Sequence, residues 1–319
     1  MSTFEVKINT SCGYTSIKCL DEKWKNFPIS NLPPKVADNL MTVKNFSVRP
    51  HDIFLCGFLR SGTTRLQELV WIIANDFDFN TQMEFDSKAR IPTLETPEWS
   101  FKLREKPFAN SMQELLNPRV IKSHLPVQLL PDQIWTVKPK IIFNSRDPKD
   151  NVISFYHLLN TYSSVPLYLE EFLDKFISDD LVYTPYREYI SNYLNLSQFE
   201  NILCLTYEDT SADLDGTIQK VAHFLGKTVS TENVKLIKNY LKFENMKEKF
   251  GKDKISGNHE HDQKIAAQSL DPNSRNNRAF FRRGIVGGFK DEMPQEYVDR
   301  IDDWYSKAGS LNQGFNLRD

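Results

Sequence analysis

Four short apolar runs, each leading through a polar turn into residues that recur at helical spacing, set the rhythm of the chain. DIFLCGF (52–58) ends at a glycine-containing turn, and RLQELVWIIAND (65–76) then places Leu66, Leu69, Val70 and Ile73 on one face. That pattern predicts strand, loop and amphipathic helix. KIIFNSR (140–146) is a second strand. DPKDNVISFYHLL after it supplies Asp147 as N-cap, Pro148 at the first helical position and Asp150 near the third, with Val152, Phe155, Tyr156 and Leu159 facing inward. RVIKSH (119–124) and NILCLTYED (201–209) read as two more strands, the latter followed by the helical GTIQKVAHFLG. Strands alternating with helices predict an α/β fold with a central, mostly parallel sheet flanked by helices on both faces. Two stretches fit poorly. Residues 80–118 carry Pro92, Pro97, Pro107 and Pro118, and residues 251–280 are polar. Both are expected to be loops or short helices over the strand ends, where α/β proteins place ligands.

Composition narrows the function classes. With 319 residues, 40% of them hydrophobic, the chain can bury a sizeable core as one large domain or two modest ones. Its net charge of −2 gives no bulk electrostatic case for nucleic acid or a membrane surface as partner. The start, MSTFEVKINTSCGY, has no basic cluster leading into an apolar run, and no stretch is apolar enough to span a bilayer, so a soluble, cytoplasmic protein is expected. Cys12, Cys19, Cys56 and Cys204 are scattered, as in a reduced chain. There is no low-complexity tract and no repeat of fixed period.

The turn at 57–65, GFLRSGTTR, has the glycine spacing of the GxxxxGK[ST] phosphate loop, but Thr63 stands at the lysine position. Such a P-loop-like strand-loop-helix unit still offers backbone N–H groups and a helix N-terminus to an anion. It has lost the lysine that handles a metal-bound triphosphate. Arg60 adds a planar cationic fork, and Ser61, Thr63 and Thr64 add hydroxyls. The plain alternative is an ordinary turn that binds nothing. In VIKSHLP, Lys122 and His124 are two residues apart at a strand end and so point to the same side. An imidazole there can accept a proton at neutral pH beside an ammonium that neutralises an anion, although a single histidine is more often structural. Arg146 and Ser154 can hold one phosphate between them, or be a strand-end arginine and an exposed helix serine. Arg282 and Arg283 before Gly284 suit a dianion, or a surface loop with incidental charge.

Taken in order, RSGTT, KSHLP, SRDPKDNVISFYH, LTYED, LKFENM and FRRGIVGGFK resemble the motifs of the cytosolic sulfotransferases, from about residue 50 to about residue 290. The resemblance implies one sulfotransferase domain over 1–319 and transfer of a sulfuryl group from 3′-phosphoadenosine 5′-phosphosulfate (PAPS) to a hydroxyl or amine, releasing 3′-phosphoadenosine 5′-phosphate (PAP). It implies that Arg60, Ser61, Gly62, Thr63 and Thr64 hold the 5′-phosphate. Arg146, Ser154, Arg282, Arg283 and Gly284 would hold the 3′-phosphate, with Tyr207 and Phe243 near the adenine, Arg65 at a position that packs against it and Leu241 at one that contacts the nucleotide. His124 would be the base, and Lys122 and Arg60 would stabilise the developing charge, with no metal required. Phe85, Phe108, Phe155, Tyr156 and Phe250 are the implied acceptor-pocket candidates. The acceptor would be a small apolar or aromatic molecule: a phenol, steroid, amine or retinoid-like alcohol.

The chain departs from the family pattern at several points. Arg60 replaces a lysine and cannot donate its proton. Arg65 replaces a tryptophan, Leu241 a hydroxyl residue, and GGFK the usual GDWK. The homodimer motif KxxxTVxxxE is degenerate as KDEMPQEYVD, with Pro294, Gln295 and Asp299. Three readings compete with simple sulfation: a PAPS-dependent dehydratase of a retinoid-like alcohol, a weakened PAPS- or PAP-binding relative, and, far behind, an ATP-dependent phosphotransferase. HEHD (259–262) is expected to be solvated loop and not a metal site, and His51, His157 and His223 to be non-catalytic.

Overall fold

The computed structural model describes residues 4–10, 13–19, 32–84, 87–97, 111–162, 167–250 and 281–307. A separate antiparallel hairpin, β1 (Phe4–Thr10) and β2 (Gly13–Cys19), precedes α1 (Pro34–Lys44). The four apolar runs are the four strands of the central sheet: β3 (Ile53–Cys56), β4 (Val120–Ser123), β5 (Lys140–Ser145) and β6 (Ile202–Thr206). All pair in parallel in the order β4-β3-β5-β6. Between β3 and β4 lie α2 (Thr63–Ala74), α3 (Phe79–Glu84) and α4 (Ser87–Arg90), and α5 (Ile134–Val137) precedes β5. After β5 come α6 (Pro148–Tyr162), α7 (Leu169–Ile177) and α8 (Tyr186–Leu194). After β6 come α9 (Tyr207–Ala212), α10 (Leu214–Leu225), α11 (Thr231–Tyr240), α12 (Phe243–Phe250) and the closing α13 (Gln295–Ser306).

Strand side chains alternate between two buried layers, which is why the strands read as unbroken apolar runs. Phe54, Cys56, Ile141 and Phe143 face a core built with α1, α6, α7, α8 and α13. Ile53, Leu55, Val120, Ile142 and Leu205 face a second core under α2, α10, α11 and α12. The first core is aromatic: Phe143 stacks on Tyr193 at 4.3 Å between ring centroids, and Phe58 meets Phe155, Tyr186 and Tyr189 edge-on. At the N-terminal ends of the strands, the buried Arg119 guanidinium grips the buried Asp52 carboxylate at 2.7 and 2.6 Å, joining the entries to β4 and β3.

Where it is described, the Pro-containing stretch holds the short helices α3 and α4 that were among its expected forms, and it also pairs with the sheet. Beyond α3 and α4, residues 92–95 run alongside β4: the Lys122 amide donates to the Pro92 carbonyl at 2.9 Å and the Leu94 amide to the Lys122 carbonyl at 2.8 Å. A proline is tolerated there because its carbonyl still accepts and the pairing is at a sheet edge. No helix among the described residues is long and apolar enough to cross a membrane. Residues 290–299, where the dimer motif would lie, run from a short 3-10 helix into α13, whose Tyr297, Ile301, Trp304 and Tyr305 are buried.

Candidate functional site

A cleft opens beyond the C-terminal ends of the strands, and the segments singled out in the sequence converge on it. Its first wall is the turn between β3 and α2. Gly62, the residue before α2, has φ +82°, and the Tyr207 ring lies 2.4 Å from where a Cβ would sit. A side chain there would be both strained and obstructed. Arg60 holds φ +69° despite its side chain, a conformation costing about 1–2 kcal/mol that the surrounding bonds must offset. Those bonds are visible: Arg146 Nη1 donates to the Arg60 carbonyl at 3.2 Å, and Arg60 Nε donates to Ser154 Oγ at 3.0 Å. Ser61 faces away from the cleft. It is fully buried, its carbonyl accepting from Asn144 Nδ2 and its Oγ from Asn151 Nδ2 at 3.2 Å, so its side chain braces the loop from beneath.

The second wall comes from α6. Asp147 caps it as the sequence predicts, accepting from the Lys149 amide at 2.8 Å. Asp150, Ser154 and Leu158, spaced by four, form one stripe that lines the cleft. Asp150 does more than occupy a helix start: its two oxygens accept from the Gly287 and Phe289 amides at 2.6 and 3.0 Å. That fixes the loop carrying Arg282, Arg283 and Gly284. Gly284 has φ +67°, with the Phe243 ring 2.3 Å from a notional Cβ. Arg282 pairs with Glu292, which also meets His157, while Arg283 pairs with Asp291 and lies 3.5 Å from Glu292. The hydrogen bonds from His157 and Arg282 outweigh the burial that would raise the Glu292 pKa and hold it down to about 2. His157 therefore has a structural partner.

At the far end Leu241, Phe243, Met246 and Phe281 make an apolar floor. Arg65 enters it with a buried Nε that makes no hydrogen bond, and burial lowers its pKa below the usual guanidinium value. Arg146 stacks over Tyr207 at 4.3 Å. Among the described residues, the cleft lining contains the cations Arg60, Arg65, Lys122, Arg146, Arg282 and Arg283 against the single carboxylate Asp150. A chain of net charge −2 thus concentrates positive charge in one place, as an anion site requires.

The remaining wall is the exit of β4. Lys122 and His124 both line the cleft. His124 Nδ1 lies 2.7 Å from the Gly57 carbonyl oxygen; because that oxygen only accepts, Nδ1 carries the proton and Nε2 keeps its lone pair. Burial, with Lys122 and Arg60 nearby, lowers the His124 pKa to about 3 against the lesser opposing effect of the Gly57 bond, so the ring is neutral across the physiological range. Glu95, a residue the sequence reading passed over, reaches the same strand exit. Its Oε1 accepts from the His124 amide at 2.8 Å and its Oε2 from Ser123 Oγ at 3.0 Å.

Three acceptor-pocket candidates lie elsewhere. Phe155 is fully buried between Phe58 and Phe172, Tyr156 donates its hydroxyl to the Leu167 carbonyl at 3.0 Å, and Phe250 packs on Phe281 in the second core. None of them lines this cleft. Leu158 and Leu59 line it instead. Phe85, Phe108, His259 and His261 lie outside the described residues.

Comparison with known proteins points the same way. The family model described as the sulfotransferase domain matches residues 50–313. Luciferin sulfotransferase of Photinus pyralis is 32% identical over 283 residues, covering 83% of this chain and 74% of that one. Sulfotransferase 1B1 of Mus musculus is 29% identical over 276 residues, covering 86% and 88%. Retinol dehydratase, solved in complex with retinol and PAP, superposes with a TM-score of 0.69 at 25% identity, covering 89% of this chain and 87% of that one.

Proposed function

The chain belongs to the sulfotransferase family, a PAPS-dependent transferase by that membership, and we propose that His124 is its general base toward the hydroxyl or amine of a small apolar or aromatic acceptor. The observation that carries this reading is the fixed tautomer of His124: Nδ1 is committed to Gly57, so Nε2 is the lone pair available to the cleft. The residues fit a nucleotide with two anionic ends. The turn at 60–64 with α2 behind it suits the 5′-phosphate, Arg146, Ser154, Arg282, Arg283 and Gly284 suit the 3′-phosphate, and Leu241, Phe243 and Arg65 suit the base.

Each residue then has a chemical task. His124 takes the acceptor proton as the acceptor oxygen bonds to sulfur. Arg60 and Lys122 hold the charge that collects on the departing phosphate oxygen as the S–O bond breaks. Because Arg60 stays charged, its part is electrostatic and not proton donation. The nucleotide supplies the sulfuryl group, and the chemistry assigned to these residues needs no bound metal.

Turnover of radiolabelled PAPS against a panel of phenols, steroids, amines and a retinoid-like alcohol tests this reading. His124→Ala is expected to lose about 10²–10⁴-fold in kcat while PAP binding persists. Unchanged turnover would remove His124 as the base. The structural likeness to retinol dehydratase favours a second reading, in which a sulfate ester is formed and then eliminated. An alkene product without stable sulfate ester would select it. PAP binding with no transfer to any acceptor would instead mark a weakened relative, in line with Arg60 and Arg65.

A further inference from the structure

We propose that Glu95 is a positioning residue for His124: its buried carboxylate holds the main-chain amide of the base and the hydroxyl of the preceding serine, and balances the cations facing the imidazole. The proposal rests on the reading of His124 as the base. Glu95 is 1% exposed, and both of its oxygens are spent on the exit of β4. It is delivered there by the edge pairing of residues 92–95 with β4, and Asn39 Nδ2 from α1 donates to its carbonyl at 3.1 Å from the other side. Ser123 Oγ in turn accepts from the Leu125 amide at 3.1 Å, so the carboxylate, the hydroxyl and two successive main-chain amides form one network around His124.

A buried carboxylate is costly and persists where its charge is used. The groups facing it are Lys122 and Ser123 from β4, His124 just after it, Cys56 from β3, Tyr183 just before α8 and Tyr189 within α8. Burial raises the pKa of Cys56 and of both tyrosines, so they are neutral at pH 7, and Lys122 is the cation among these groups. When His124 takes the acceptor proton, a third positive charge appears beside Lys122 and Arg60. Glu95 is the carboxylate behind that site and stabilises the charged imidazole.

A pH signature follows. Burial raises the Glu95 pKa above the ordinary value of 4.5, against the opposing bonds from His124 and Ser123 and the charge of Lys122. On acidification Glu95 is neutralised while the ring of His124 stays neutral to far lower pH. The acid limb of kcat therefore belongs to Glu95.

The test compares wild type, Glu95→Gln and Ser123→Ala by PAP calorimetry, by the pH profile of kcat, and by NMR titration of the His124 ring in the PAP complex. Glu95→Gln is expected to keep PAP affinity and the KM for PAPS within about two-fold, lower kcat by about ten-fold or more, and flatten the acid limb. In the PAP complex the wild-type ring resonances should shift in a step as Glu95 protonates, before the ring itself does, and Glu95→Gln should lack that step. Ser123→Ala removes one donor from the carboxylate, so its acid limb should move to higher pH. Ring resonances with the same pH dependence in wild type and Glu95→Gln, or an unmoved acid limb in either variant, overturn the proposal. If wild type turns over no acceptor, the functional reading fails by itself, and the NMR titration still decides the role of Glu95.

Discussion

An imidazole whose Nδ1 is committed to a main-chain carbonyl has one nitrogen left for chemistry, and in His124 that nitrogen is kept basic in form by being kept uncharged. The arrangement has a cost that can be measured. The unfolded histidine protonates near the ordinary value of 6.5, the folded one only at about 3, so between those values the unfolded state binds more protons. Stability contributed by the neutral ring is complete above pH 6.5 and is lost as pH falls through that window. In the ligand-free protein His124→Asn should therefore lose less melting temperature between pH 7 and pH 5 than wild type does. An identical loss in both would mean that the ring is not held neutral. At this scale the sequence was informative where chemistry is local: Lys122 and His124 share a side of the chain by strand geometry alone. Glu95 was not legible, because a lone glutamate between prolines gives no sign of the strand it will reach.

Elements decide whether those residues meet. The N-terminal turn of α6 holds the 287–289 loop through the Asp150 carboxylate, and Arg282, Arg283 and Gly284 sit on that loop. Asp150→Asn keeps the size but replaces one charged acceptor with an amide donor. The two charge-assisted bonds contribute about 1.5–3 kcal/mol each, so the variant should melt several degrees lower and bind PAP at least about ten-fold more weakly. Unaltered PAP affinity would show that this loop is not part of the anion site. Four strands and the helix after β5 were readable because strands buried on both faces are continuous apolar runs and because DPKD is a complete helix start. Asp150 was readable only as part of that helix start, and its place beside Ser154 and Leu158 on the cleft came from the fold. The edge pairing of residues 92–95 was not: it depends on β4, which lies more than twenty residues further on.

The whole molecule separates a site end from a supporting end. The strand exits carry the cleft, and the strand entries are tied by the buried pair Asp52 and Arg119, whose guanidinium also reaches the Ser47 and Met112 carbonyls. Removing one member leaves an unpaired buried charge, at about 3–5 kcal/mol. Arg119→Ala should accordingly lower the melting temperature strongly while PAP affinity, measured below the transition, stays within about two-fold. A large loss of affinity would mean that the two ends are coupled. The central claim is that the cleft holds a nucleotide with two separate phosphates. It is tested most directly by thermal melting with PAP, set against 5′-AMP and against ATP with Mg²⁺. At a hundredfold excess over Kd a ligand of the native state adds about 2.7 kcal/mol. PAP should raise the melting temperature by about 5 °C and well beyond either comparison ligand. No shift with PAP, or an equal shift with ATP and Mg²⁺, would contradict the account.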